Sequence, residues 1–213
     1  DQFVEDTIEG GHQLNDPALV RKMAEESAGA IEWLDSIGAP LPKVSFSGGA
    51  ANARIHSPED GSGVGEFLVK HFREKVEELN IPVYLETTAT KILMDGEKAV
   101  GVKAESKDTN YTFNAKAVIL ATGGFGGNQD MICEYRPDLA GTVSTSAPGI
   151  TGDGIRMAEE VGAATVDMDQ IQLHPTVEQE TSMLITEGVR GDGAILVNKD
   201  GKRFVNEMET RDV

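Results

Sequence analysis

Small and apolar side chains recur at three- and four-residue steps through Leu19, Met23, Ser27, Ala30, Ile31 and Leu34, the spacing of one helical face. Asp16 reads as the N-cap of that helix, Pro17 as its first residue, and Gly38 as its stop. Trp33 flanks the stripe, and its plain reading, like that of the methionines, is core packing. A second helix follows the glycine-rich stretch 61–65, with Val64, Leu68, Phe72 and Leu79 on one face and Asn80 closing it before Ile81-Pro82. Short strands are expected at 83–86, 89–94, 100–104 and 111–114, punctuated by Asp95-Gly96 and Lys107-Asp108. Residues 117–120 form a continuous apolar run, the pattern of a strand buried on both faces, and lead directly into the glycine-rich turn 121–127. A short helical stretch at 130–135 is expected next. Thr151-Gly152-Asp153-Gly154 then opens a helix that ends at Gly162. Beyond Asp167 the texture is loops and short strands at 170–176, 183–186, 194–198 and 203–206, with a Lys199-Asp200-Gly201 turn. These elements imply an α/β protein with an antiparallel β insert and a domain boundary near Asp169.

Composition narrows the class. The chain has 213 residues, 39% hydrophobic and 26% charged, with no apolar tract approaching the roughly 18 residues that a membrane-spanning helix needs. Thirty-six acidic against nineteen basic residues give a formal charge of -17, which repels phosphate backbones and anionic lipid surfaces, so neither nucleic acid nor membrane insertion is expected. Cys133 is the single cysteine, so no internal disulfide and no thiolate zinc cage can form, and His12, His56 and His71 do not stand at ligand spacing from His174. No metal site is expected. Glycine is in excess, 24 of 213 residues against about 7% in an average protein, which implies sharp turns or close backbone approach. The chain starts at Asp1 without a readable signal peptide and stops soon after a glycine turn; it reads as an internal segment of a longer protein, with cytoplasmic and extracytoplasmic locations both open.

Taken singly, the candidate chemical groups have plain alternatives. A glycine turn after a buried strand can offer N–H groups to a pyrophosphate, yet no G-x-G-x-x-G opens a strand–helix unit and no Walker lysine is present, so taken alone these glycines are better read as tight turns. Asp153 suits an N-cap at least as well as a hydroxyl-binding role. His174 stands in a loop before Pro175-Thr176. Glu187 and Arg190 are three residues apart, either a surface ion pair worth under about 1 kcal/mol or, in a cleft, a proton-moving and carboxylate-clamping pair. Arg211 balances Glu207, Glu209 and Asp212, or does more.

In order and spacing, the segments NDPALV, SGGA, ARIH, VILATGGF, TGDG, QLHPT, ITEGVRG, GAILVN and GKRFVNEMETRD resemble the flavoprotein subunits of the fumarate reductase and succinate dehydrogenase family, especially its soluble flavocytochrome-type members. The resemblance implies part of a Rossmann-like FAD-binding domain over residues 1–168, lacking its N-terminal dinucleotide motif, and the beginning of an α+β substrate-clamp domain over 169–213. It implies FAD as cofactor, with Ala121, Thr122, Gly123 and Asp153 along it and Ala89 near the adenine. His174 and Thr186 would bind a dicarboxylate, fumarate or succinate; Glu187 and Arg190 would relay protons, Arg211 would donate one, and Phe46 and Ser47 would wall the substrate side. The implied reaction is hydride transfer from flavin N5 to fumarate with protonation by Arg211, fed by a haem, FMN or quinol-linked donor. Half of the cofactor site and the second carboxylate grip would lie outside this chain, so the piece alone is expected to be inactive. Reduction of another unsaturated acid such as urocanate, oxidation of a steroid ketone or of aspartate, and a catalytically inert module stand as alternatives.

Overall fold

The computed structural model describes residues 1–45, 52–186, 189–190 and 193–207. The chain divides into two compact units, Asp1–Val83 and Tyr84–Val213, and residue 169 lies inside the second.

In the first unit, helix α1 (Gln2–Gly10) precedes α2 (Pro17–Ser36), and both pack through Val4 and Val20. The Asp16 carboxylate accepts from the Ala18 N–H at 2.8 Å and the Leu19 N–H at 3.4 Å, so α2 begins where its cap and Pro17 place it. Its inward face is Val20, Ala24, Ser27, Ile31 and Leu34. Leu19, Met23 and Trp33 are exposed, which corrects the expected stripe and the core role of Trp33; the buried face is rotated toward Val20, where α1 supplies the contact. The strands β1 (Lys43–Ser45) and β2 (Ile55–Ser57) pair antiparallel, and were not expected from so short a pattern. Arg54, beside β2, donates to Asp6 of α1 at 2.5 Å and lies 4.5 Å from the Phe3 ring centroid. Helix α3 (Val64–Glu78) ends as its sequence implies: Asn80 takes φ 53° and the Ile81 N–H donates to the Val76 carbonyl. Its less exposed face carries Phe67 and His71 instead of Phe72 and Leu79, the two rings meeting at 4.2 Å.

The second unit opens with a three-stranded antiparallel meander, β3 (Thr88–Asp95), β4 (Lys98–Glu105) and β5 (Asn110–Asn114). Its register runs from Asp95 opposite Lys98 to Thr88 opposite Glu105, and Ile92 and Ala104 are buried. Tyr111 and Phe113, two residues apart on one face of β5, stack at 5.4 Å with Tyr84 against them. The insert is therefore as expected, but 83–86 is no strand: Leu85 and Glu86 turn, Glu86 with φ 49°. Nor do residues 117–120 form a strand, and Ile119 is 90% exposed. Apolar character alone does not make a strand; it needs a neighbouring backbone, and none of the described strands lies beside this run.

Helix α4 (Gln129–Tyr135), capped by the Asn128 side chain on the Met131 N–H, and helix α5 (Asp153–Glu160) follow, with a 3-10 turn at Pro137–Leu139. Met131, Ile132, Leu139 and Met157 are buried, and α5 packs on β3. Arg156 of α5 pairs with Glu134 of α4. Gly152, not Asp153, is the cap of α5; at φ 84° it occupies left-handed backbone, and Asp153 is simply the first, exposed residue of the helix. Beyond Asp169 the four expected strands reduce, among the described residues, to the bridges Val177 with Leu184 and Val197 with Arg203. Among the described residues no helix is long and apolar enough to cross a membrane.

Candidate functional site

Two neighbouring features of the second unit hold the candidate residues. The first is the glycine turn. It is laid against the segment entering α5, with the Gly127 N–H donating to the Ile150 carbonyl at 2.8 Å and the Asn128 amide donating to the Thr151 carbonyl at 2.9 Å. Gly154 lies on Thr122 so closely that a Cβ there would stand 1.9 Å from the hydroxyl oxygen. Thr122 and Gly123 therefore sit at the first turn of α5, beside Asp153, and a shallow hollow of about 230 Å³ runs from Leu120 past them along Ile155 and Ala158. Ala121, Thr122, Gly123 and Gly124 are exposed. A Cβ on Gly124 would meet nothing within 4 Å, and among the described residues no hydrogen bond occupies the N–H groups of this run. Open backbone donors next to a helix start fit a polar, anionic cofactor chain. Ala89 stands elsewhere, half-buried on β3 opposite Ala104, and lines neither this hollow nor the cleft described next.

The second feature is a cleft of about 280 Å³ lined by His174, Gln172, Ser144, Thr145, Ser146 and Gly126, among others. The His174 Nδ1 accepts from the Thr176 N–H at 3.3 Å, which leaves the ring proton on Nε2 in the neutral tautomer. Thr176 also exchanges backbone and side-chain bonds with Ile185: its carbonyl accepts the Ile185 N–H at 3.0 Å, and its hydroxyl donates to the Ile185 carbonyl at 2.8 Å. The loop carrying His174 is thereby fixed to the stretch that continues into Thr186. The Thr186 carbonyl accepts the Val189 N–H at 3.2 Å, and this turn delivers Arg190, whose Nε is buried and makes no hydrogen bond among the described residues. Hence His174, Thr186 and Arg190 belong to one hydrogen-bonded stretch of chain. Glu187, Arg211, Phe46 and Ser47 lie outside the described residues.

Sequence reasoning missed the hydroxyl-bearing loop 142–146 that lines the cleft, since nothing in its spacing distinguishes it from an ordinary polar loop. It also passed over Thr176 and Glu207. Glu207 is a buried acid, 7% exposed, and its carboxyl is held below the ordinary value chiefly by the hydrogen bond from the Leu196 backbone, with Arg203 adding to it. Glu178 is likewise lowered, first by the Thr181 hydroxyl, and ties off the exposed turn next to the His174 loop.

The glycine turn, the helix start beside it and the meander are those of a flavin-binding protein, and the chain belongs to the FAD-binding-domain family, whose model matches residues 1–213. Its similarity extends to the FAD-binding domains of fumarate reductases. It is 46% identical over 211 residues to an NADH:fumarate oxidoreductase of Klebsiella pneumoniae (strain 342), a match covering 99% of this chain and 23% of that protein. A urocanate reductase of Eggerthella lenta is 41% identical over 222 residues, covering 100% of this chain and 36% of that protein. The open conformation of a flavocytochrome c3 fumarate reductase superposes with a TM-score of 0.87 at 42% identity, covering 99% of this chain and 38% of that one. The chain thus spans roughly a quarter to two fifths of the length of these relatives.

Proposed function

We propose that the protein to which this chain belongs reduces fumarate to succinate on FAD, and that residues 169–213 begin the clamp that closes on the substrate. The supporting observation is the Thr176–Ile185 tie, which sets His174, Thr186 and Arg190, with its buried Nε, on one framework. Fumarate is a dianion, so a chain of charge -17 needs local donors to bind it. Arg190, Arg211 and the Nε2–H of His174 supply them, each charge-assisted bond contributing about 1.5–3 kcal/mol. Ala121, Thr122, Gly123 and Asp153 would hold FAD, which would supply the hydride when bound.

The chain's own task is the proton. As one alkene carbon takes hydride, negative charge develops on its neighbour and the adjoining carboxylate, and one proton on that neighbour completes succinate. Arginine is a poor acid toward water, because it stays charged throughout the working pH range. A carbanion-like centre is far more basic than guanidine, so transfer from Arg211 is downhill once the two are in contact. Glu187 and Arg190 then return a proton from solvent to Arg211. The electrons come from a haem, FMN or quinol-linked donor.

In the full-length protein, Arg211→Ala is expected to abolish fumarate reduction by a reduced dye while flavin stays bound. Near-normal turnover ends the assignment. A second reading, reduction of urocanate, is favoured by the 41% identity to a urocanate reductase. Turnover of fumarate, urocanate and aspartate measured side by side on the same preparation separates these readings.

A further inference from the structure

We propose that Glu207 is a positioning residue for proton delivery: its carboxylate fastens the backbone at Glu207, four residues before Arg211 in the sequence, onto the arm that continues from the Arg190 turn. The inference rests on the reading of Arg211 as proton donor.

The geometry is specific. The Arg190 carbonyl accepts the Gly193 N–H at 3.0 Å, and the Val189 carbonyl accepts the Ala194 N–H at 3.1 Å, so the arm that includes Leu196 starts at a fixed point on the Arg190 turn. That arm folds back at the Lys199-Asp200-Gly201 turn, where the Asn198 N–H donates to the Lys202 carbonyl at 2.9 Å and Val197 bridges Arg203. Glu207 closes the loop. One carboxylate oxygen accepts the Leu196 N–H at 2.7 Å and the Arg203 Nε at 3.1 Å, and the other accepts Arg203 Nη2 at 2.5 Å. The Glu207 side chain is 4% exposed although that of Arg203 is 56% exposed.

An exposed Arg–Glu pair four residues apart holds little, since water competes for both ends. Here the carboxylate is out of water and takes a backbone amide from a different arm, so releasing it leaves a buried acceptor and a backbone amide unmet. The fork of Arg203 acts as the lid on that carboxylate. Four residues further along the sequence comes Arg211. A small displacement of a reacting group, about 1 Å, is enough to lower a rate by about 100-fold.

The test uses the full-length, FAD-loaded protein with Glu207→Ala and Glu207→Gln. Flavin is reduced, and its reoxidation is followed by stopped flow with fumarate and, separately, with ferricyanide, which needs no proton donor. Glu207→Ala is expected to slow the fumarate reaction about 10- to 100-fold with the half-saturating fumarate concentration within about twofold, and to leave the ferricyanide reaction unchanged. Glu207→Gln, still able to accept the Leu196 N–H, is expected to fall between Ala and the parent. Amide exchange is measured in parallel: the Leu196 amide should be protected in the parent and exposed in Glu207→Ala, with β3–β5 unaffected. A fumarate rate within twofold of the parent, or a fall matched by equal loss of flavin and of the ferricyanide reaction, overturns the proposal. If the parent itself reacts with ferricyanide but not with fumarate, the functional reading fails on its own. Leu196 exchange then decides the tie: unchanged by Glu207→Ala, it overturns the proposal; accelerated, it supports it, with the acid that does react standing in for fumarate.

Discussion

Two glycines with opposite surroundings show how much the site depends on single atoms. Gly154 has no room for a methyl group, because a Cβ would stand 1.9 Å from the Thr122 hydroxyl oxygen and 2.9 Å from its Cβ. Gly154→Ala is expected to cost about 1–3 kcal/mol of stability through overpacking and to loosen FAD, since Thr122 is the atom group that has to move. Gly29, inside α2, meets nothing within 4 Å, and Gly29→Ala is expected to stabilise by about 0.5–1 kcal/mol. Thermal unfolding by circular dichroism checks both signs, and equal effects at the two positions contradict the argument. Glu207 adds a pH dependence at the same scale. Its folded carboxyl titrates below the ordinary 4.5, so in the window below 4.5 the unfolded chain binds the proton and the folded chain does not. Its stabilising contribution is therefore full above 4.5 and is lost as pH falls through the folded value. Comparing the parent with Glu207→Gln between pH 3 and 6 isolates this part of the acid limb, which should flatten in the variant.

Among the elements, caps and turns carried more legible information than apolar stripes did. Asp16 caps α2 through two amide bonds, and Asp16→Ala is expected to cost about 1 kcal/mol, read as a lowered melting temperature of the first unit with the meander unaffected. The start of α2, the end of α3 and the β3–β4 turn were readable because Asp16, Asn80 and Asp95-Gly96 act on their immediate neighbours. Which residues of α2 and α3 face inward was less readable, since it depends on partners: Val20 is covered by α1, a helix that no capping side chain announces. Residues 117–120 were misjudged for the same reason, since a strand's partner is not written in the strand. At the candidate site, His174, Thr186 and Arg190 came to notice through family resemblance, their spacing alone admitting plainer readings. Glu207 could not be found at all, because beside Glu209, Arg211 and Asp212 it looks like one more surface charge until the fold brings Leu196 to it.

At the scale of the whole molecule, net charge and exposed apolar surface oppose one another. Ile119 is 90% exposed, Leu120 42% and Leu85 79%, and the 117–120 run presents backbone that no described strand pairs. Such a run is a template for a second chain. A formal charge of -17 works against that encounter, but only over the screening length, about 30 Å at 0.01 M salt and about 8 Å at 0.15 M. The 213-residue chain by itself is therefore expected to self-associate more as salt is raised from about 0.01 to 0.15 M, the reverse of an association held by ion pairs. Sedimentation velocity at several protein concentrations measures this, and Ile119→Lys should return the piece to monomer at the higher salt. In a protein of the relatives' length the same substitution is expected to act in the opposite sense. There the apolar run is expected to be a strand buried on both faces, and an unpaired ammonium placed in it lowers stability by several kcal/mol. One substitution that helps the piece and harms the whole identifies 117–120 as a core strand awaiting its neighbours. A piece that stays monomeric at all salt concentrations, or a longer protein indifferent to Ile119→Lys, shows that the run is an ordinary surface loop.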